Sequence, residues 1–223
     1  MSLKLFFQAI TKVTLGIVAM ALFIFGPAGT VHYWQGWLLM AIMFVPMIFV
    51  GFFLMFKNPG LLQKRLNMRE SESEQKQVIL FSAMMFIGMF ITAGFAVRFS
   101  WYILPAWVSY FFALVFFAGY ILYAEVLKEN EFLSRTIEIQ ENQKVVDTGL
   151  YGVVRHPMYM ATLLLFLAMP LILGSIWAFL IALLYIPIIK KRILNEEKVL
   201  EEGLEGYIEY EKKVRYHLIP YIW

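Results

Sequence analysis

The sequence predicts an all-α integral membrane protein, and three observations support this fold class. Of the 223 residues, 61% are hydrophobic and only 16% are charged, whereas a soluble domain has about 25% charged residues. Several apolar stretches reach the roughly 18 residues that a helix needs to cross a bilayer core of about 30 Å. The Lys and Arg residues lie beside these stretches, where anionic lipid headgroups would meet them. We expect about five to six transmembrane helices, including a C-terminal helical hairpin.

Composition also excludes several classes of protein. The chain has no Cys, so disulfides, thiol nucleophiles and thiolate metal ligands are excluded. The net charge is only +3. The sequence also lacks a dense basic block of the kind that would predict nucleic acid as a partner. Ionisable residues are scarce within the apolar stretches, which argues against a channel or pump.

Four apolar stretches in the first half predict four transmembrane helices, so we assign residues 1–127 to a four-helix transmembrane region. Lys4 and Lys12 around the first apolar stretch resemble a signal peptide, but another stretch follows within ten residues, which predicts a retained helix. The polar connection 57–76 is interpreted as an interfacial linker with a short amphipathic piece. The predicted helices are Phe6–Ala28, closing at Gly26-Pro27, then Trp34–Phe56, Val78–Val97 and Ala106–Leu127.

Residues 128–223 form the second predicted unit, which begins with the polar region 128–157. Its two apolar runs, 158–173 and 177–189, are shorter than the roughly 20 residues that a crossing helix needs. They form either a hairpin that reaches part way into the bilayer or two helices that continue beyond it. Strong helix formers at 190–204 predict that the second run continues as one long helix into the cytosol.

A short extended hairpin or lid is predicted within the polar region. Residues with high β-propensity flank a turn-like segment at 141–143. The flanking residues are Thr136, Ile137, Ile139, Val145 and Val146.

Charge placement predicts the orientation in the membrane. If the N-terminus is cytoplasmic and the chain alternates at each crossing, all 19 Lys and Arg residues except Arg98 fall on the cytoplasmic side. Positive charge is strongly biased to that side of membrane proteins. We therefore expect a multi-pass protein with both termini cytoplasmic, and the polar regions 128–157 and 190–223 in one compartment.

The first candidate site lies directly before the run at 158–173. Pro157 suits the first turn of a helix and holds His156 in an extended conformation. The free N–H groups of that turn, beside Arg155 and His156, would suit a carboxylate or phosphate. Alternatively, Arg155 and His156 anchor the helix in the headgroups.

The second candidate lies on the last predicted helix, where Arg192 and Glu196 are four residues apart and share a face, with Glu197 adjacent. A simple surface ion pair is the alternative interpretation, and such a pair contributes little to stability. The tail that follows carries Tyr207 and Tyr210 and ends at Trp223, which is typical of a helix on the membrane surface.

The order of these motifs resembles a known family. Gly-Leu-Tyr at 149–151, RHPMY at 155–159, an apolar hairpin, Arg-x-x-x-Glu-Glu at 192–197 and Tyr-x-x-Tyr at 207–210 are similar to the isoprenylcysteine carboxyl methyltransferases and related phospholipid methyltransferases. The resemblance covers about residues 143–220. It implies a cytoplasmic S-adenosyl-L-methionine site in the membrane protein itself, and no G-x-G-x-x-G motif of a Rossmann domain occurs in the chain.

The resemblance also implies roles for single residues. Arg192 corresponds to the position that orients a substrate carboxylate, and Glu196 to an acidic cofactor contact. His156 is the third catalytic candidate, as a base beside the cofactor. The spacing from the Glu pair to Tyr207 is one residue short of the family pattern, which leaves open whether Glu196 or Glu197 meets the cofactor. The implied cofactor-binding residues are Gln143, Val145, Val146, Tyr151, Arg155, His156, Pro157, Met158, Tyr159, Glu196 and Glu197.

The implied reaction is methyl transfer to a lipophilic or prenylated substrate, with membrane lipids as partners and no metal. Such a displacement needs two reactants held in line in a dry pocket. A carboxylate such as that of isoprenylcysteine needs no base, whereas an amine or hydroxyl would need one, for which His156 or a Glu is available. The alternatives are an N- or S-methyltransferase of phospholipids or small molecules, a sterol-type NADPH reductase, and a non-catalytic scaffold or transporter.

Overall fold

The computed structural model describes residues 3–66, 73–133, 137 and 139–223, and the part of the chain so described contains helices and no strands. The helices are α1 (Leu3–Ala28), α2 (Trp34–Lys57), α3 (Pro59–Leu66), α4 (Ser73–Arg98), α5 (Ala106–Glu129), α6 (Pro157–Ile172), α7 (Ile176–Ala182), α8 (Tyr185–Gly203) and α9 (Tyr207–Lys213).

Four helices are long and apolar enough to cross a membrane: α1, α2, most of α4, and α5. Much of their large apolar surface is exposed, as at Leu15, Phe49 and Leu114, which are 62%, 72% and 71% exposed. Exposed apolar surface on this scale is unfavourable in water, whereas it is favourable in the hydrocarbon core of a bilayer. The predicted all-α membrane fold is therefore confirmed.

The helices pack around a core that six of them share. The buried cluster contains Ile24 of α1, Leu39 of α2, Met89 of α4, Phe116 of α5, Ile172 of α6 and Ala178 of α7. The most extensive helix pair is α5 with α6, followed by α1 with α4. Burial of α6 among these helices ties the C-terminal region to the bundle.

Small residues allow the closest helix contacts. A Cβ on Gly119 of α5 would lie 3.0 Å from Leu165 of α6, and one on Gly94 of α4 would lie 2.7 Å from the carbonyl oxygen of Ile24 in α1. Small residues at such crossings are typical of helices that associate in a membrane.

Three connections lie together at one end of the bundle. The hydroxyl of Tyr33, before α2, donates to the carbonyl of Leu173 after α6. The N–H of Leu104, before α5, donates over 2.8 Å to the carbonyl of Gly174. The α1–α2, α4–α5 and α6–α7 connections therefore share this end, and the segment before α6 and the end of α8 lie at the other.

The last predicted helix is interrupted, contrary to our expectation of one continuous helix from 177 to 204. A turn at residues 183–184 separates α7 from α8. Pro187, in the first turn of α8, has no N–H to donate to Leu183, and its ring crowds the carbonyl four residues earlier. The chain uses shorter bonds instead, from Leu184 to Ile181 and from Ile186 to Leu183.

The predicted hairpin at 136–146 is represented only by its turn. Asn142 has φ +58°, and the N–H of Gln143 donates over 3.1 Å to the carbonyl of Gln140. Thr136 lies outside the described residues, and no strand pairing occurs among those that are described on either side of the turn.

Candidate functional site

A tight turn delivers the chain to the start of α6. Residues Gly149–Gly152 form a single 3₁₀ turn, and Gly149 has φ +52° with the Glu129 carboxylate where a Cβ would lie. A side chain at this position would be both strained and blocked. Pro157 is the first residue of α6 and His156 is its N-cap, as the sequence predicts.

The C-terminal tail pairs with this turn through the main chain. The N–H of Arg155 donates over 2.8 Å to the carbonyl of Tyr216, and the N–H of His156 donates over 2.9 Å to the carbonyl of His217. The Trp223 ring stacks on His217 with centroids 4.7 Å apart. The tail thus packs on the candidate site, whereas the sequence interpretation set it on the membrane surface.

One carboxylate oxygen joins the three chain segments. Nε of Arg155 donates to Oε1 of Glu197 over 2.8 Å. Nε2 of His156 and Nδ1 of His217 each lie 2.9 Å from the same oxygen. Glu197 is 5% exposed, so this is a buried ionic network in which the carboxylate is satisfied by several donors.

His217 lies between the two charges of this network. Its Nδ1 is 2.9 Å from Oε1 of Glu197 and 2.8 Å from Nη2 of Arg155, and its Nε2 is 3.2 Å from the same Nη2. Burial and the Arg155 charge lower the pKa of His217, although Glu197 opposes them, so the ring is neutral at pH 7.

The pKa of Glu197 shows which influence is strongest. Burial alone would raise it, but hydrogen bonds and charge from His156 and Arg155 outweigh burial and lower the pKa to about 2.

His156, Glu197 and His217 also offer ligand atoms within 4.8 Å of one another, a possible group of metal ligands. The cation that Glu197 binds in this structure is the Arg155 guanidinium.

A second cluster centres on the hydroxyl of Tyr159. Nε of Arg192 donates to this oxygen over 3.0 Å, and the hydroxyl in turn donates to Glu196. The Tyr159 ring stacks on His156 with centroids 5.6 Å apart. Arg192 and Glu196 are therefore held together through Tyr159 and not only as neighbours on α8.

These clusters border a cleft with about 850 Å³ of empty space when its open mouth is included. Its walls come from the residues that follow α5, the segment 143–146, the start of α6, one face of α8 and the start of α9. The side chains on them are largely apolar, with Arg155, Arg192 and Glu196 as the charged groups near the α6–α8 contact. We call this space the cleft.

Most of the predicted site residues meet at the cleft. Pro157 and Glu197 are buried behind its wall, and Glu197 contacts Arg155 and His156 from that side. The predicted residues that line the cleft are Gln143, Val145, Val146, Tyr151, Arg155, His156, Met158, Tyr159, Arg192 and Glu196.

Several cleft residues and network members were missed in the sequence. His217 was not singled out, because it lies 20 residues beyond Glu197 in the tail that was interpreted as a helix on the membrane surface. Tyr207 and Tyr210 fell within a recognised Tyr-x-x-Tyr pattern but were interpreted as part of a helix on the membrane surface. Both are buried, at 4% and 5% exposure, and both line the cleft.

The cleft offers groups that suit S-adenosyl-L-methionine. Lys144, Val145 and Val146 make no main-chain hydrogen bond to any other described residue, and N–H and C=O groups of such a segment suit the edge of a base. Glu196 suits a cationic sulfonium or ammonium, and Arg192 suits a carboxylate. The apolar side chains between these groups suit the rest of such a molecule.

Comparison with known proteins points to the same part of the chain. No curated protein matches the sequence. A family model described as phospholipid methyltransferase matches residues 113–205, a range that runs from within α5 to just beyond α8 and contains both clusters except His217. Over this range the chain is similar to that family of membrane methyltransferases.

Proposed function

We propose that the protein is an S-adenosyl-L-methionine-dependent methyltransferase that acts at the membrane on a lipophilic carboxylate such as that of isoprenylcysteine. The observation that carries this proposal is the joint contact of Arg192 and Glu196 with the Tyr159 hydroxyl at the wall of the cleft. It sets a group for a substrate anion beside a group for a cofactor cation.

The cofactor supplies a methyl group on a positively charged sulfur, ready for displacement. The cleft residues have to bind and orient the two reactants, and they have to exclude water. Arg192 would hold the acceptor carboxylate, and Glu196 would hold the cationic part of the cofactor. Because a carboxylate is already ionised at pH 7, no residue has to remove a proton.

Residues 128–223 are the proposed catalytic region, and residues 1–127 the transmembrane region that admits the lipophilic acceptor. In this proposal the site and both termini face the cytoplasm. The positive charge of that side supports this orientation, and so does the joint position of the α1–α2, α4–α5 and α6–α7 connections at the opposite end of the bundle.

A second candidate is N-methylation of a phospholipid amine, which the description of the matching family favours. An amine must lose a proton, and His156 could accept one. Its Nε2 lies 2.9 Å from Oε1 of Glu197, an arrangement in which a carboxylate orients a histidine ring.

Labelled methyl transfer by the purified protein in lipid nanodiscs tests these proposals. We expect label from methyl-labelled S-adenosyl-L-methionine to enter an isoprenylcysteine as a base-labile ester. Base-stable label in phosphatidylethanolamine would instead support N-methylation. Absence of saturable cofactor binding by calorimetry would reject both, and a thermal shift with NADPH alone would indicate a reductase.

A further inference from the structure

A hydrogen bond joins α6 to α8 within the apolar part of their contact. The Thr162 hydroxyl donates over 3.0 Å to the carbonyl of Tyr159, one turn earlier in α6. The same oxygen lies 2.9 Å from the hydroxyl of Tyr185, the first residue of α8. Because Thr162 has a single O–H and donates it to Tyr159, the Tyr185 hydroxyl is the donor in this contact. The bond therefore links the start of α8 to the turn of α6 that carries Tyr159.

The Tyr185 side chain is enclosed by apolar neighbours. It is 5% exposed, and its ring meets that of Phe166 in α6 edge to face, with centroids 4.9 Å apart. Met85 of α4 and Ile189 of α8 belong to the same buried cluster. At this burial, water does not replace a lost bond to Thr162.

Helix geometry connects Tyr185 to the cleft. Successive residues of an α-helix point about 100° apart. Arg192 and Glu196 lie seven and eleven residues after Tyr185, so both point within about 20° of its direction. Glu197, one residue later, points about 120° away from it. The rotation that directs Tyr185 at α6 therefore directs Arg192 and Glu196 there too.

The start of α8 needs a contact of this kind because α7 does not set its rotation. The turn at residues 183–184 interrupts the helix, and its main-chain bonds include pairs only three residues apart, as in a 3₁₀ turn. Packing against α4 buries apolar surface, which favours contact without favouring one orientation. A hydrogen bond depends on direction, so the bond between Tyr185 and Thr162 is suited to select the rotation of α8.

We propose that Tyr185 is a positioning residue: its hydrogen bond to Thr162 fixes the rotation of α8 that brings Arg192 and Glu196 to the Tyr159 hydroxyl. This inference rests on the proposed function. Tyr185 does not belong to the lining of the cleft, so it acts on the reactants only through Arg192 and Glu196.

The substitution Tyr185→Phe removes the hydroxyl and keeps the ring. With saturating S-adenosyl-L-methionine, kcat/KM for a carboxylate acceptor should fall by about 3–10-fold, the range that one lost hydrogen bond gives. In an Arg192→Ala background the same substitution should change kcat/KM by less than about twofold, because the group that Tyr185 positions for the acceptor is already absent. A merely structural role for Tyr185 predicts the same loss in both backgrounds.

Two further variants separate this bond from general loosening of the bundle. Thr162→Val removes the other partner of the bond and should reproduce the loss, and its combination with Tyr185→Phe should add little. Tyr120→Phe is the matched control, since it removes a hydroxyl that donates over 2.7 Å to the carbonyl of Met43, away from the lining of the cleft. We expect Tyr120→Phe to keep the wild-type kcat/KM.

Three results would overturn the role of Tyr185 while the wild type still transfers methyl groups. They are a wild-type kcat/KM in Tyr185→Phe, an equal loss with and without Arg192, and an equal loss in Tyr120→Phe. If the wild-type protein transfers no methyl group to a carboxylate acceptor, the proposed function fails, and this role fails with it.

Discussion

The carboxylate of Glu197 and the guanidinium of Arg155 form a buried ion pair, with Oε1 and Nε 2.8 Å apart. The two residues are 42 positions apart in the chain, one on α8 and one before α6. Through His156 and His217 the same carboxylate also fixes the first turn of α6 and the tail. This pair therefore holds together the segments from which the cleft is built.

Removal of the carboxylate should destabilise the protein strongly. Glu197→Ala leaves the Arg155 charge buried, with Glu211 at 3.5 Å as its remaining acidic neighbour. Loss of one partner of a buried pair costs about 3–5 kcal/mol. We expect the free energy of unfolding in detergent to fall by about this amount. Glu201→Ala on the exposed face of α8 is the control, and an equal loss in both variants would contradict the role of the network.

Acid should weaken the protein through the same residue. The pKa of Glu197 is about 2 in the folded state against 4.5 for the free side chain. Between these values the unfolded chain binds the proton and the folded chain does not, so stability falls as pH falls from about 4.5 towards 2. Denaturant midpoints at a series of pH values should show this loss in the wild type and a shallower slope in Glu197→Gln. Identical slopes would argue against a charged Glu197.

Loss of the Arg192 guanidinium should affect the acceptor more than the cofactor. A hydrogen bond to a charged group contributes about 1.5–3 kcal/mol, so Arg192→Ala should lower kcat/KM for a carboxylate acceptor by about 10–150-fold. The affinity for S-adenosylhomocysteine should change little.

Lys191→Ala is the neighbouring control, since Lys191 lies outside the cleft and contacts Gln77. Methyl transfer that survives Arg192→Ala at the wild-type rate would show that another group binds the acceptor.

The contact between α1 and α4 should not tolerate a side chain at Gly94. A Cβ there would lie within 2.9 Å of the backbone of Ile24 and Ala28, and backbone cannot move aside cheaply. Gly94→Ala should cost about 1–3 kcal/mol, the usual penalty for overpacking.

Gly51→Ala provides the comparison, because nothing lies within 4 Å of a Cβ at Gly51 in α2. We expect that variant to keep or slightly raise the melting temperature. Equal melting temperatures for the two variants would show that the α1–α4 contact is looser than in this structure.

The choice between Glu196 and Glu197 shows the limit of the motif. Adjacent residues on a helix point about 100° apart, so the order Glu-Glu leaves open which one meets the cleft. Packing separates them: Glu197 is buried against Arg155, whereas Glu196 lines the cleft. This difference depends on how α8 is rotated against α6, which no local pattern encodes.

Sequence patterns were enough to locate the membrane helices and many of the residues that line the cleft. Long apolar stretches need only the bilayer as their partner, so α1, α2, α4, α5 and α6 begin and end close to their predicted limits.

Tertiary structure alone decided the docking of the tail, the turn between α7 and α8, and the partners of Glu197. These features depend on contacts between residues far apart in the chain. Burial then sets which charges are paired.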